Sequence, residues 1–210
     1  MIDRIDLQEY AHLRAVCKDI HTQAVRIATD QELHTAAREL GVLRAEKVLA
    51  LDSEEEMSVL VDYLLYEVRR GDAPVVRHFL RQSPLAGRAG AVSTAMLQAY
   101  TSFFRVEDVR DDRLLIHDVL KGDQPPVVLV DIGLTRTGAP GLFLFLRLLP
   151  LPTYCIASGA SFAFSESGHG RLIRSYLRKA YTWEEHEASR RRYRYFFQAS
   201  RQSGLPVEYA

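Results

Sequence analysis

The sequence predicts an α+β fold: a helical N-terminal layer, a small antiparallel β-barrel-like sheet, and a C-terminal helical pair. Three observations carry this. Apolar residues recur at three- and four-residue steps before about residue 98. Between 99 and 165 they give way to short segments rich in β-branched and aromatic residues, punctuated by Gly, Pro and Asp. After Ser165-Glu-Ser-Gly-His-Gly the helical period returns. The expected organisation is therefore 1–98 helical, 99–165 sheet and 166–210 helical, packed as one unit.

Each element follows from its local pattern. Leu13, Cys17, Ile20, Ala24 and Ile27 share one helical face. Thr29 and Glu32 have capping-box spacing, in which each side chain satisfies the other residue's backbone N–H. The helix they open buries Leu33, Ala36, Ala37 and Leu40, and Gly41 is placed to end it in a left-handed cap. Ser53 with Glu56 repeats the box before the stripe Met57, Leu60, Val61, Leu64, Leu65 and Val68, which Gly71 stops. Pro74 suits the start of a helix to Gln82. Residues 83–90 read as a turn-rich linker, followed by a helix near Val92 to Tyr100.

In the β region, strands are expected around 102–109, 113–120, 127–132, 142–149 and 153–158. Asp111-Asp112 and Lys121-Gly-Asp read as hairpin breaks. Asp131 to Gly141 reads as a longer hairpin connection at the rim of the sheet. Leu172, Ile173, Tyr176 and Leu177 then form a stripe, and Thr182 with Glu185 gives a third capping box before a long helix to about Ser203. The expected core comprises Leu60, Leu64, Phe104, Ile116, Val128, Val130, Phe143, Phe145 and Ile156.

Composition narrows the function classes. The formal net charge is zero, so no general field draws the chain to nucleic acid or an anionic membrane. The most apolar run, Gly141 to Pro152, is shorter than a membrane span and contains Arg147, which makes it a buried strand. Two cysteines, Cys17 and Cys155, with no C-x-x-C spacing, exclude a paired-ligand zinc site and fit reduced thiols. The first residues lack the basic and apolar regions of a signal peptide. A cytoplasmic, non-membrane protein without a cofactor is the expectation.

The strongest binding candidate is the basic C-terminal pair of helices. Between Arg171 and Arg201, nine Arg and Lys residues stand against Glu184, Glu185 and Glu187. Arg174, Arg178, Arg190, Arg191 and Arg194, with Tyr193 between them, could serve phosphate contacts and base stacking. The competing reading is a surface helix whose Tyr193, Phe196, Phe197 and Ser200 face the core. Its arginines would then dock on the chain's own acidic surface or on a second copy, giving a homodimer.

Catalytic motifs fail one by one. Gly159-Ala-Ser-Phe-Ala lacks the second glycine of a nucleophile elbow. No two of the seven histidines sit at i,i+3 or i,i+4. Asp131-Ile-Gly-Leu-Thr-Arg-Thr-Gly has neither nucleotide-binding glycine pattern. Asp131, Arg136 and His169 remain as participants if an enzyme acts on a small anionic substrate at the rim of the β unit.

Asp52-Ser-Glu-Glu-Glu-Met-Ser-Val-Leu-Val-Asp-Tyr, Ser102-Phe-Phe-Arg-Val, His117-Asp-Val-Leu-Lys-Gly and Asp131-Ile-Gly-Leu-Thr-Arg-Thr together resemble a group of uncharacterised bacterial proteins. These pair a helical front half with a small β unit. A similar arrangement accompanies the zinc-binding SEC-C motif in some chains, but the last residues here, Val207-Glu-Tyr-Ala, carry no cysteine. The resemblance implies a bacterial cytosolic protein of unassigned role and carries over no catalytic residue. A non-enzymatic binding or interaction module, with a protein or nucleic-acid partner, is the leading expectation; the enzyme at the rim is the alternative.

Overall fold

The computed structural model describes residues 6–44 and 48–205. Helix α1, Leu7–Arg26, is capped by Asp6, whose Oδ1 accepts from the N–H groups of Gln8 and Glu9. It buries Tyr10, Leu13, Cys17, Ile20 and Ala24, the stripe its period predicts. Helix α2, Asp30–Leu40, opens on the Thr29–Glu32 capping box and ends at Gly41 with φ 77°. Only glycine enters that left-handed region without steric cost.

Helix α3, Glu55–Tyr66, corrects the second capping box. Glu56 accepts from the N–H of Asp52 at 2.7 Å, and its carboxylate holds Arg201 at 2.6 Å. A guanidinium is the stronger partner for a carboxylate than a cap donor. The third box is also replaced: the Thr182 hydroxyl turns back to donate to Lys179 O at 2.8 Å. A two-residue ribbon, β1 Arg69–Arg70 with β2 Ala73–Pro74, turns at Gly71 and leads into α4, Val75–Gln82. Helix α5, Gly87–Leu97, starts inside the stretch read as a linker.

Five strands follow, interrupted by one short helix: β3 Tyr100–Arg110, β4 Arg113–Asp118, β5 Val127–Val130, α6 Ile132–Thr137, β6 Phe143–Pro150 and β7 Cys155–Phe164. Two expectations are corrected here. The sheet is mixed, because β5 and β7 run parallel, with Leu129 opposite Cys155 and Val130 opposite Ile156. The segment after β5 is no hairpin either: β5 pairs with β4 and β7, while β6 pairs with β3 and β7. Asp131 instead caps α6, accepting from Leu134 N at 3.1 Å, and the chain crosses to a non-adjacent strand. Each strand has two partners, so the order β3-β4-β5-β7-β6 returns to β3.

That arrangement explains why β6 reads as an almost unbroken apolar run. Its side chains alternate between two buried faces. Leu144, Leu146 and Leu148 join Phe104, Val106, Leu114, Ile116 and Leu129 in a core lined by strands alone, closed by Leu134 of α6. Phe143, Phe145 and Leu149 point the other way, toward the helices. Of the expected core residues, Val128 alone is only half-buried.

The C-terminal helices are α7, Glu166–Ala180, and α8, Glu185–Ser203. The aromatic face of α8 completes the larger core. Phe196 stacks on Phe103 and Phe145 with ring centroids 4.8 and 4.5 Å apart, and Tyr193 meets Phe145 and Phe162 edge-on. Such pairs contribute roughly 0.5–1.5 kcal/mol beyond area burial. Among the described residues no helix is long and apolar enough to cross a membrane.

Candidate functional site

The inward-facing helix α1, the first half of α3, the α6 turn and the middle of β7 enclose a cleft of about 1220 Å³. That exceeds the roughly 300–1,000 Å³ of typical small-molecule sites, so a metabolite-sized ligand and its water both fit. Asp62 ties the lining to a buried charge network. Arg147 of β6, 3 % exposed, donates through Nε to Asp62 at 3.0 Å and through Nη2 to Glu67 at 2.6 Å. Its guanidinium lies over the Tyr66 ring, 4.3 Å from the centroid. Burial pulls the Arg147 pKa down, but Asp62 and Glu67 outweigh it and the net shift is upward.

Both carboxylates have second donors. Ser158 Oγ of β7 gives its proton to Asp62 at 2.6 Å, and Ser189 Oγ of α8 donates to Glu67 at 3.0 Å. His21 sits beside this network, 2.8 Å from the Tyr66 hydroxyl. Burial lowers the His21 pKa to about 4, against the pull of Asp62, so the ring is neutral at pH 7. Burial likewise pushes the Cys17 thiol up to about 11, which makes it a poor nucleophile.

Arg14 is the least exposed cation in the described lining of the cleft. It is half-buried, and its Nη1 donates to the carbonyl of Ala157 at 2.5 Å. No described carboxylate pairs with it. Opposite stands Gly159, with φ 129°, a backbone conformation that L side chains rarely adopt. A Cβ there would lie 4.0 Å from Arg14 Nη2, so the missing side chain keeps the guanidinium's flank open. Lys18, Arg26 and Arg136 also line the cleft without an ion pair to a described residue. Four acids share the lining: Asp62 is held by Arg147 and Ser158, Asp131 caps α6, and Glu54 and Glu55 stand at the start of α3.

The sequence-derived candidates separate. Asp131 and Arg136 both line the cleft. His169 does not: it lies on α7, stacked on Phe143 at 4.1 Å between centroids, with Nδ1 against Glu166 O. Tyr193 is 2 % exposed and has no ring face open to a base. Arg190 pairs with Glu39 of α2, Arg191 with Glu187, and Arg194 is half-buried. Arg174 and Arg178 are exposed on α7, alongside Arg171 and Lys179.

Sequence reasoning passed over Arg14, His21, Asp62 and Ser158. One signal pointed toward the network: Arg147 alone interrupts the apolar run of β6, and a buried charge requires a partner. Among the described residues no group of three or more His, Cys, Asp or Glu side chains could hold a metal ion.

Residues 4–210 match the model of a family described as a family of unknown function, DUF7986. No curated protein matches the chain. No solved structure matches it.

Proposed function

The chain belongs to this family of unknown function, and we propose from its own residues that it is a non-enzymatic binding module for a small organic anion, held in the cleft between α1, α3, α6 and β7. The observation that carries this reading is Arg14. A half-buried guanidinium with no carboxylate partner among the described residues costs desolvation energy that a bound carboxylate would offset through charge-assisted hydrogen bonds. Its tether to Ala157 fixes the fork in advance, which lowers the entropy lost on binding. Arg136 is a second cation of the lining, exposed and without an ion pair to a described residue. The neutral His21 and the unreactive Cys17 favour binding over chemistry at this site.

The test is a thermal-shift and calorimetric screen of carboxylate and amino-acid metabolites against the wild type and Arg14→Gln. Ligands that raise the melting midpoint of the wild type but not of Arg14→Gln support the reading. A screen in which no compound separates the two proteins overturns it. Turnover of a bound compound would instead favour an enzyme acting on an anionic substrate at this rim.

A second reading rests on α7. Arg171, Arg174 and Arg178 are exposed and form no ion pair with a described residue, while Lys179, also exposed, lies over the Tyr195 ring at 5.1 Å; their spacing places them along one side of the helix. Nucleic-acid binding through them would appear as salt-sensitive anisotropy of a labelled single strand. Binding that persists in Arg174→Glu/Arg178→Glu would remove α7 from that role.

A further inference from the structure

A second, smaller cavity lies on the far side of the Arg147 network. It encloses about 190 Å³ between the β1–β2 ribbon, α4, the end of α5 and α8. That is too small for a typical organic ligand, at roughly 300 Å³ or more, but has room for one compact ion. Four arginines from four elements line it: Arg69 of β1, Arg77 of α4, Arg147 of β6 and Arg190 of α8. Among the described residues the sole acid in the lining is Glu67, whose Oε1 is already shared by Arg147 and Ser189.

The arginines differ in how far their charge is met. Arg147 is answered by Asp62 and Glu67, and Arg190 by Glu39. Among the described residues Arg69 and Arg77 have only carbonyl partners, Asp72 O and Leu97 O, the latter at 3.4 Å. Four guanidinium groups therefore face three carboxylates, leaving the cavity with a positive excess. Arg147, although 3 % exposed, makes no hydrogen bond through Nη1 to any described residue. Carbonyl dipoles satisfy donors without cancelling charge, so the unmatched charge is available to an anion.

We propose that this cavity is an oxyanion site that takes a phosphate group, with Arg69 and Arg77 gripping it from the mouth and Arg147 and Arg190 behind. A tetrahedral oxyanion offers several acceptors at once, which matches guanidinium forks converging from different elements. Arg69 and Arg77 are exposed, so the rest of a phosphomonoester could extend into solvent. The shared chemistry is the phosphoryl dianion, whether free or esterified. This site is independent of the cleft and of the ligand proposed there.

The experiment is calorimetric titration with inorganic phosphate and, separately, with O-phosphoserine, at constant ionic strength adjusted with sodium chloride. Three variants accompany the wild type: Arg69→Gln/Arg77→Gln, Arg77→Gln alone, and Arg81→Gln. Arg81 is an exposed neighbour on α4 that does not line the cavity, so it controls for loss of one surface charge. Saturable binding that weakens tenfold or more in the double variant, and stays within twofold in Arg81→Gln, is the expected result. Tighter binding of phosphate would identify the free ion as the ligand, and tighter binding of phosphoserine an esterified group. Should the double variant fail to fold, Arg77→Gln decides by the same criterion at threefold or more. No saturable heat with either probe, or equal weakening in Arg81→Gln, overturns the proposal.

Discussion

Replacing Arg147 with methionine tests the buried charge network at its centre. Asp62 and Glu67 are 4 and 3 % exposed, and each would keep its serine donor while losing the only cation that answers it. Breaking a buried pair from one side costs roughly 3–5 kcal/mol. The lost stacking over Tyr66 adds about 1 kcal/mol. Against a total stability of roughly 5–15 kcal/mol this is a large fraction, worth on the order of 10 °C in melting midpoint for a chain of this size. Urea unfolding of wild type and Arg147→Met at pH 7 measures it. A companion variant, Asp62→Asn/Glu67→Gln/Arg147→Met, should recover most of the loss, because no charge is left buried. The reasoning fails if Arg147→Met lies within 1 kcal/mol of wild type at pH 7.

Other consequences are simpler to check. His21 has a folded pKa of about 4 against an ordinary 6.5, so the unfolded chain binds the extra proton first. Stability should fall as pH drops from 6.5 to 4, by roughly 3 kcal/mol, and His21→Gln should flatten that part of the urea-midpoint profile. Glu32, with its pKa lowered to about 2 chiefly by Arg70, acts in the acid range: its contribution is present above pH 4.5 and lost as pH falls toward 2. Glu32→Gln should therefore reduce the slope of an acid titration followed by circular dichroism there. Gly159→Ala forces an L residue to φ 129°, which should cost about 1–3 kcal/mol in chemical denaturation although the space for a Cβ is open. Thr29→Ala removes one half of the capping box of α2 and should lower stability by about 1 kcal/mol, seen as a reduced urea midpoint.

Local features were legible wherever the physics is local. The α1 stripe, the Thr29–Glu32 box and the Gly41 cap depend on residues within one or two turns, and a reader of the chain finds them. The capping boxes at Ser53 and Thr182 show the limit. The spacing is right in both, but Glu56 meets Arg201 from 145 positions away, and a distant guanidinium outcompetes a local cap. Strand identity was legible from the alternation of β-branched and aromatic residues, whereas strand partners were not. Parallel pairing of β5 with β7 turns the segment after Asp131 from a hairpin into a crossover, and no residue between 131 and 141 announces it.

The sequence by itself determined the order of the main helices and strands, the amphipathic faces and the aromatic side of α8, because those follow from backbone periods of 3.6 and 2. It also read β6 as a buried strand that carries the charge of Arg147. Only the tertiary structure decided which carboxylates answer that charge, 85 and 80 residues earlier, and which side of the network opens to a cleft. It likewise decided that Arg190 meets Glu39 across the helical layers while Arg14 meets no described carboxylate. Charge is written residue by residue along the chain, but the partner that neutralises it is chosen by proximity in space.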